Sequence, residues 1–231
     1  MAQETTKTMH MNSLKNITKL EYLFFILLFA ASGYGIYLAY TDINAFLLFT
    51  QEDGMVENLT SLFLFAGSAV CIYQVVKFKK TKRPGLWILT AAVLAFLFFF
   101  AGGEEISWGQ RIFGIQSGEF FLEHNKQAET NLHNLIVDGV NINKLFFSQI
   151  LFVVLVVYFL FSRLLVNKVN FVRNFERRFN IPLPKIQHSV VMIVVAGLLG
   201  LIQNAKNAEL LEMSFAFIFF LIFLNPAKVN D

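Results

Sequence analysis

The sequence predicts an all-α fold, a polytopic transmembrane helical bundle of about six spans. Only 15% of the 231 residues are charged and 56% are hydrophobic, whereas a soluble domain has about 25% charged residues. The apolar residues form long continuous runs, which are typical of membrane-spanning helices and not of the alternating strands of a β-barrel. The charged residues are concentrated between these runs. These three observations favour helices that cross a bilayer.

Six apolar runs approach the length that a spanning helix requires, which is roughly 20 residues. The predicted spans cover residues 22–40, 57–76, 85–103, 145–162, 188–203 and 209–224. Because the last two runs are short, a helical hairpin that dips into the bilayer is an alternative for them.

The spans and the segments between them define the predicted domain organisation. We expect residues 1–21 to form a cytoplasmic N-terminal segment, 22–224 a single transmembrane domain, and 225–231 a cytoplasmic tail. The connection 103–143 is long for a compact bundle and contains apolar pieces of its own. It is therefore predicted to cap the outer end of the bundle or to lie along the membrane surface.

The distribution of charge predicts the orientation of the chain. Fifteen of the 19 Lys and Arg residues lie in the terminal segments or in the connections after the second and fourth spans. Twelve of the 16 acidic residues lie on the opposite side. Since positively charged connections stay in the cytoplasm, both termini are predicted to be cytoplasmic.

Two classes of site are disfavoured by the composition. The basic residues flank hydrophobic spans, so the net charge of +3 reflects membrane orientation and not nucleic-acid binding. Cys71 is the single cysteine, so an internal disulfide and a multi-cysteine metal site are excluded.

The stretch GGEEISWGQRIFG, residues 102–114, places polar side chains directly after an apolar run. If the helix continues through this stretch, Glu104 shares one face with Ser107 and Trp108, and Arg111 lies on the same face. Glu105 is rotated by about 100° and faces a different neighbour. The alternative is an interfacial helix end, with Trp108 in the aromatic belt and Arg111 at the lipid headgroups.

A second polar stretch, NKQAETNLHNL, covers residues 125–135. Glu129 and His133 are four residues apart and would share a face if this stretch is helical. That spacing lets both side chains reach one metal ion, or lets the carboxylate orient the imidazole. The alternative is a solvated amphipathic helix.

The acidic side of the protein collects ionisable residues from four segments of the chain, namely Glu57, Glu104, Glu105, Glu129, His133 and Glu212. Glu57 and Glu212 open apolar runs, where a negative charge also suits a helix N-terminus. Carboxylates in a poorly hydrated cleft must share protons, pair with Arg111 or bind a cation.

This convergence predicts a site with three kinds of role. We expect the catalytic residues to be Glu104, Glu105 and His133, acting as general acids or bases. We expect the substrate-binding residues to be Trp108, Gln110, Arg111 and Asn134, with the arginine holding an anionic group. We expect a divalent metal ion to be held by Glu57, Glu104, Glu129, His133 and Glu212.

The strings GEEISWGQRIFG, NKQAETNLHNL and EDGMVENLTSL resemble those of an uncharacterised family of bacterial multipass membrane proteins. The resemblance covers most of the chain from the second span on and implies location in the bacterial cytoplasmic membrane. CAAX-type intramembrane proteases are similar in having adjacent glutamates followed by an arginine, but the spacing from Glu105 to Arg111 is longer here. Alkaline-ceramidase-like hydrolases are similar in architecture, but use three zinc histidines that this chain does not supply on one side.

Three functions follow as hypotheses. The first is a metal-dependent hydrolase or transferase that acts on a membrane lipid or a lipid-linked substrate at the outer leaflet. The second is a structural or assembly protein, in which the polar cluster ties the bundle together. The third is a cation- or proton-coupled transporter, which would require acidic residues at mid-membrane and a path to both sides.

Overall fold

The computed structural model describes residues 17–52, 54–132, 134–137, 140–141 and 151–227. Within these ranges the chain is predominantly helical. The helices are α1 (Lys19–Thr41), α2 (Ile43–Phe49), α3 (Met55–Lys80), α4 (Gly85–Glu105), α5 (Gln110–Phe113), α6 (Glu119–His124), α7 (Leu151–Val156), α8 (Ser162–Lys168), α9 (Asn170–Phe179), α10 (Ile186–Leu199) and α11 (Asn207–Leu224). A 3₁₀ turn at Ser107–Gly109, a π-helical stretch at Val157–Phe161 and a short antiparallel pair of Ile136–Val137 with Val140–Asn141 join them.

Four helices are long and apolar enough to cross a membrane, namely α1, α3, α4 and α11. Val153–Lys168 and Asn170–Phe179 pass the same test only as a pair, and they are bent by 108° at their junction. Helix α10 has 14 residues, so it is about 21 Å long and shorter than the hydrocarbon core of roughly 30 Å. The all-helical fold class and several membrane-compatible helices are confirmed, while the count of six spans stays a prediction.

Successive long helices run in opposite directions, so the bundle has two ends. At one end, Glu21 of α1 contacts Lys185, which precedes α10, and Asn225, which follows α11. We call this the basic end, because it also holds the lysine-rich connection between α3 and α4. The other end, called the acidic end, holds the connection from α1 to α3 and the connection from α10 to α11. Assignment of the basic end to the cytoplasm stays a prediction.

Small side chains let α3 and α4 pack closely. Ser61 donates a hydrogen bond from its hydroxyl to the Gly102 carbonyl at 2.9 Å, and Ser68 donates to the Ala95 carbonyl at 2.8 Å. A Cβ atom on Gly102 would lie 3.1 Å from the Phe65 ring, so the glycine makes this approach possible. The contact places the end of α4 beside the start of α3, at the acidic end.

Helix α11 lies at the centre of the core. Met213, Ile218 and Leu221 are almost completely buried. The rings of Phe24 and Phe63 pack against Phe217, with ring centroids 5.4 and 4.1 Å away. Because α11 is central, its first turns bring Glu209 and Glu212 to the middle of the acidic end.

A buried ionic cluster closes the basic end of the bundle. The carboxylate of Glu21 is 1% exposed and accepts hydrogen bonds from Lys185 Nζ at 2.9 Å and His188 Nε2 at 3.0 Å. Its second oxygen accepts from the Thr18 backbone N–H at 2.7 Å and from Asn225 Nδ2 at 3.1 Å. The single carboxylate therefore ties together three segments that are far apart in the sequence.

The hydrogen bonds of His188 define its tautomer. The backbone N–H of Lys185 donates to His188 Nδ1 at 3.3 Å, so this nitrogen is the acceptor. Nε2 therefore carries the hydrogen atom and donates it in the hydrogen bond to Glu21. The imidazole is then neutral, and the Lys185 ammonium is the cation that pairs with Glu21.

Candidate functional site

The chain changes direction sharply where α4 ends, at Glu105. Ser107, Trp108 and Gly109 have backbone φ angles of 46°, 55° and 75°, which lie in the left-handed region that favours glycine. The helix therefore does not continue through this stretch. The single helical face predicted to hold Glu104, Ser107, Trp108 and Arg111 does not form.

The buried side chain of Glu104 fixes this turn. Its carboxylate accepts a hydrogen bond from Trp108 Nε1 at 2.8 Å and another from the Leu132 backbone N–H at 2.5 Å. A Cβ atom on Gly103 would lie 2.8 Å from the Trp108 ring, so the glycine gives the indole room to fold over the end of α4. Glu104 thus holds the segment after α4 against the bundle, and its catalytic role stays a prediction.

The segment after α4 forms a polar network centred on Glu129, which is 6% exposed. The Ser107 hydroxyl donates to one carboxylate oxygen of Glu129, and the Arg111 guanidinium pairs with the other. Asn131 Nδ2 donates to the Ser107 hydroxyl at 2.8 Å and to Glu129 at 3.1 Å. The network connects the turn after α4 to residues 125–132, and we call residues 106–135 the cap.

The predicted Glu129–His133 pair requires a helix through residues 125–135. The described part of this stretch does not form a helix. Residues 125–132 form turns and bends, and Ala128 has a φ angle of 57°. His133 lies outside the described residues, so its predicted catalytic and metal-binding roles stay predictions.

The residues predicted to bind substrate make contacts within the cap. Gln110 accepts from the Thr130 backbone N–H at 2.8 Å and donates to the Ser117 hydroxyl at 2.6 Å. Asn134 Nδ2 donates to Gln127 at 2.8 Å. Trp108 and Arg111 are each about two-fifths exposed, so among these four residues they offer the most accessible surface. The substrate-binding roles stay predictions.

A second group of side chains, the acidic cluster, lies beside the cap. It contains Glu52, Glu57 on α3, Glu105 at the end of α4, and Glu209 and Glu212 on α11. The carboxylates of Glu105 and Glu212 interact electrostatically with one another and with the other three. The adjacent residues Glu104 and Glu105 therefore have different neighbours, the cap for the first and the acidic cluster for the second.

Lys206 supplies a positive charge to the acidic cluster. Its ammonium lies 2.7 Å from Glu52 and 3.0 Å from Glu209. Partial burial lowers the pKa of Lys206, but the hydrogen bonds and charges of these two glutamates outweigh that effect and raise the pKa above its usual value. Lys206 therefore stays charged at neutral pH, and its ammonium pairs directly with two carboxylates of the acidic cluster.

The side chain of Gln127 joins the cap to the acidic cluster. Gln127 Nε2 donates a hydrogen bond to Glu52, and Gln127 in turn accepts from Asn134. A displacement of the cap would therefore move a hydrogen-bond partner of Glu52 in the acidic cluster.

The predicted metal ligands fall into two groups. Glu104 and Glu129 form hydrogen bonds with residues of the cap, whereas Glu57 and Glu212 belong to the acidic cluster. Among the described residues, no three His, Cys, Asp or Glu side chains are placed to hold one metal ion. Because His133 lies outside those residues, the predicted metal site stays a prediction.

Several residues of this end were not anticipated from the sequence. Glu52 and Lys206 lie 154 positions apart, and their contact depends on the packing of α1, α3 and α11. A local signal existed for Lys206, since Glu209 is three residues further on, a spacing that favours ion pairs on a helix. No local pattern marked Gln127 as the link to Glu52.

Replacement of Glu129 by Gln is expected to loosen the cap. The substitution removes the charge that Arg111 pairs with, and a hydrogen bond to a charged group contributes about 1.5–3 kcal/mol. We expect amide hydrogen exchange in residues 125–132 to accelerate at least about tenfold. The matched control is Glu123→Gln, at an exposed position on α6. Unchanged exchange in Glu129→Gln would contradict a central role for this carboxylate.

No family model, curated protein or solved structure matches this chain. The resemblance to a bacterial membrane protein family therefore stays an expectation, and functional inference rests on the chemistry of the site.

Proposed function

We propose that this chain is an integral protein of the bacterial cytoplasmic membrane and a hydrolase or transferase for a lipid or lipid-linked substrate. The reaction takes place at the acidic end, in the outer leaflet. The observation that carries this proposal is the mutual electrostatic repulsion of Glu57, Glu105 and Glu212, which come from three different helices, with Lys206 as a neighbouring cation.

Carboxylates that lie together and partly out of water cannot all stay charged. They share protons or bind a cation, and either arrangement suits acid–base chemistry. Two carboxyl groups in different protonation states supply a base and an acid in one site. In the proposed reaction one of Glu105 and Glu212 takes a proton from the attacking water or alcohol, and the other gives a proton to the leaving group.

A metal-dependent form of this proposal would need a ligand outside the described residues to complete the site of a divalent ion, because no three described His, Cys, Asp or Glu side chains are placed to hold one. Carboxylate oxygens suit such hard cations, and the ion would polarise the substrate carbonyl or phosphoryl group. Glu104 and Glu129 act differently, since their hydrogen bonds hold the cap beside the acidic cluster. The cap contributes Arg111, whose guanidinium suits an anionic group of the substrate.

The outer surface of the cap favours a lipid substrate. Ile112, Phe113 and Ile115 are 59–74% exposed, and Phe120 and Leu122 on α6 are about half exposed. Large apolar side chains on short helices at the end of a membrane bundle favour partial insertion in the leaflet. A substrate dissolved in that leaflet would reach the acidic cluster laterally, beneath the cap.

The proposal is tested by the lipid composition of cells that express the chain. Wild type, Glu105→Gln and the control Glu123→Gln are expressed at matched levels, and lipid extracts are compared by mass spectrometry. We expect a lipid species to be depleted and its product to accumulate with the wild type and with Glu123→Gln, but not with Glu105→Gln. Identical lipid profiles for wild type and Glu105→Gln would contradict the enzymatic proposal.

A second candidate function, a structural or assembly protein, is favoured by the cap network. Ser107, Gln110, Glu129 and Asn131 all bond to other residues of the cap, as expected of a rigid surface for a partner. In that case the lipid profile is unchanged by Glu105→Gln, and Glu129→Gln impairs assembly with the partner.

A further inference from the structure

Helix α9 (Asn170–Phe179) differs from every spanning helix in its direction and its surface. It follows the apolar helix Val153–Lys168 at an angle of 108°, so it turns across the basic end of the bundle instead of continuing along the spans. Its sequence, NFVRNFERRF, alternates aromatic and basic residues at helical spacing. These features are typical of a helix that lies in the membrane interface.

The apolar side of α9 is directed away from the bundle. Phe171 is 78% exposed and Phe175 is 46% exposed. With Phe179 they repeat every four residues, and neighbouring rings contact one another with centroids 6.5 and 4.6 Å apart. This row of rings is an apolar stripe on a helix whose remaining positions are largely polar.

The orientation of α9 is fixed by contacts to the rest of the chain. Arg173 donates from Nε to the Val166 carbonyl at 3.0 Å and from its guanidinium to the Asn167 carbonyl, so it caps the last turn of α8. Trp87 Nε1 on α4 donates to the Arg177 carbonyl at 3.1 Å. The bend and the direction of the aromatic stripe are therefore built into the fold.

Basic groups border the aromatic stripe. Arg177 and Arg178 are exposed on the last turn of α9. The guanidinium of Arg83 lies over the Trp87 ring, 5.5 Å from its centroid, next to the lysines of the connection from α3 to α4. Exposed rings beside basic side chains match the two layers of a leaflet, acyl chains for the rings and anionic headgroups for the cations.

We propose that α9 is an interfacial helix that binds the anionic phospholipid leaflet at the basic end of the bundle. Phe171 and Phe175 insert below the headgroups, and Arg177 and Arg178 contact lipid phosphates. This inference concerns the end opposite the acidic cluster and does not depend on the proposed enzymatic function.

Spin labelling of the full chain tests the insertion. In a Cys71→Ala background, nitroxides are placed at Phe171→Cys, at Phe175→Cys and, as the matched control, at Asn174→Cys on the polar side of the same helix. The protein is reconstituted in phosphatidylcholine bilayers, with or without an equal part of phosphatidylglycerol. We expect labels at 171 and 175 to collide mainly with oxygen, which is concentrated in lipid, and the label at 174 mainly with a water-soluble nickel chelate.

The contribution of charge is tested in the same samples. We expect phosphatidylglycerol to increase the oxygen preference at 171, and both high salt and the pair Arg177→Gln with Arg178→Gln to remove that increase. Equal nickel access at 171 and 174 would overturn the proposal, because α9 would then lie in water. Shielding of 171 from both reagents would also overturn it, because a protein partner would then cover the stripe. A lipid effect that survives the loss of both arginines would overturn the assignment of the phosphate contacts.

Discussion

Glu21→Gln is expected to lower the thermal unfolding midpoint of the detergent-solubilised protein by roughly 6–20 °C. The substitution preserves the size of the side chain but removes the charge that balances Lys185, which is itself 7% exposed. Removal of one partner of a buried ion pair costs about 3–5 kcal/mol. The effect is large because the same carboxylate also binds His188, Thr18 and Asn225.

The midpoint is measured with a fluorogenic maleimide that reacts with Cys71. This thiol is 2% exposed and is the only one in the sequence, so it reacts when the bundle opens. All variants are heated at the same rate, since unfolding of such proteins is commonly irreversible. The double change Glu21→Gln with Lys185→Met is expected to lower the midpoint less than Glu21→Gln alone, because both members of this buried ion pair are then removed together. A wild-type midpoint for Glu21→Gln would show that the cluster does not stabilise the bundle.

Glu105→Gln and Glu212→Gln are expected to have the opposite effect on stability. Each removes a carboxyl group from a cluster in which Glu105 and Glu212 are repelled by one another and by three further glutamates. The substitution removes repulsion between carboxylates and the cost of burying a charged group. We expect this to raise the unfolding midpoint by roughly 2–4 °C, which corresponds to about 1 kcal/mol. Glu123→Gln, at an exposed position on the cap, is expected to leave the midpoint unchanged.

If these variants are more stable than the wild type and Glu105→Gln also abolishes the change in cellular lipid composition that the wild type causes, the acidic cluster is a functional site. Residues kept at the expense of stability are typical of active sites. If Glu105→Gln and Glu212→Gln instead lower the midpoint, these carboxyl groups serve to hold the bundle together, and the structural function gains support.

The sequence predicted the parts of the fold that depend on local composition. The apolar runs at 22–40, 57–76 and 85–103 correspond to α1, α3 and α4, because a helix in hydrocarbon satisfies its own backbone groups and needs only a long apolar run. The segregation of basic and acidic residues also predicted which connections lie together. The rotation of about 100° per residue accounts for the different neighbours of Glu104 and Glu105.

The sequence could not predict the features that depend on tertiary contacts. The left-handed turn at Ser107 and Trp108 occurs at residues other than glycine, and it is stabilised by Glu104 and Glu129 from two separate segments. The bend before α9 depends on Arg173, whose partners are backbone carbonyls that no pattern identifies. One local pattern in the sequence indicates part of the Glu21 cluster, namely the T-x-x-E pattern of a capping box at residues 18–21. Its partners Lys185 and His188 come from distant parts of the chain.

The most direct test of the central claim, that carboxylates from different helices converge at the acidic end, is a double-mutant cycle between Glu105 and Glu212. The unfolding midpoints of wild type, Glu105→Gln, Glu212→Gln and the double variant are compared under one set of conditions. If the two carboxyl groups share one environment, each single change relieves part of the same repulsion, so the double variant gains less than the sum of the single gains. Strictly additive gains would contradict the claim, because the two carboxyl groups would then not interact.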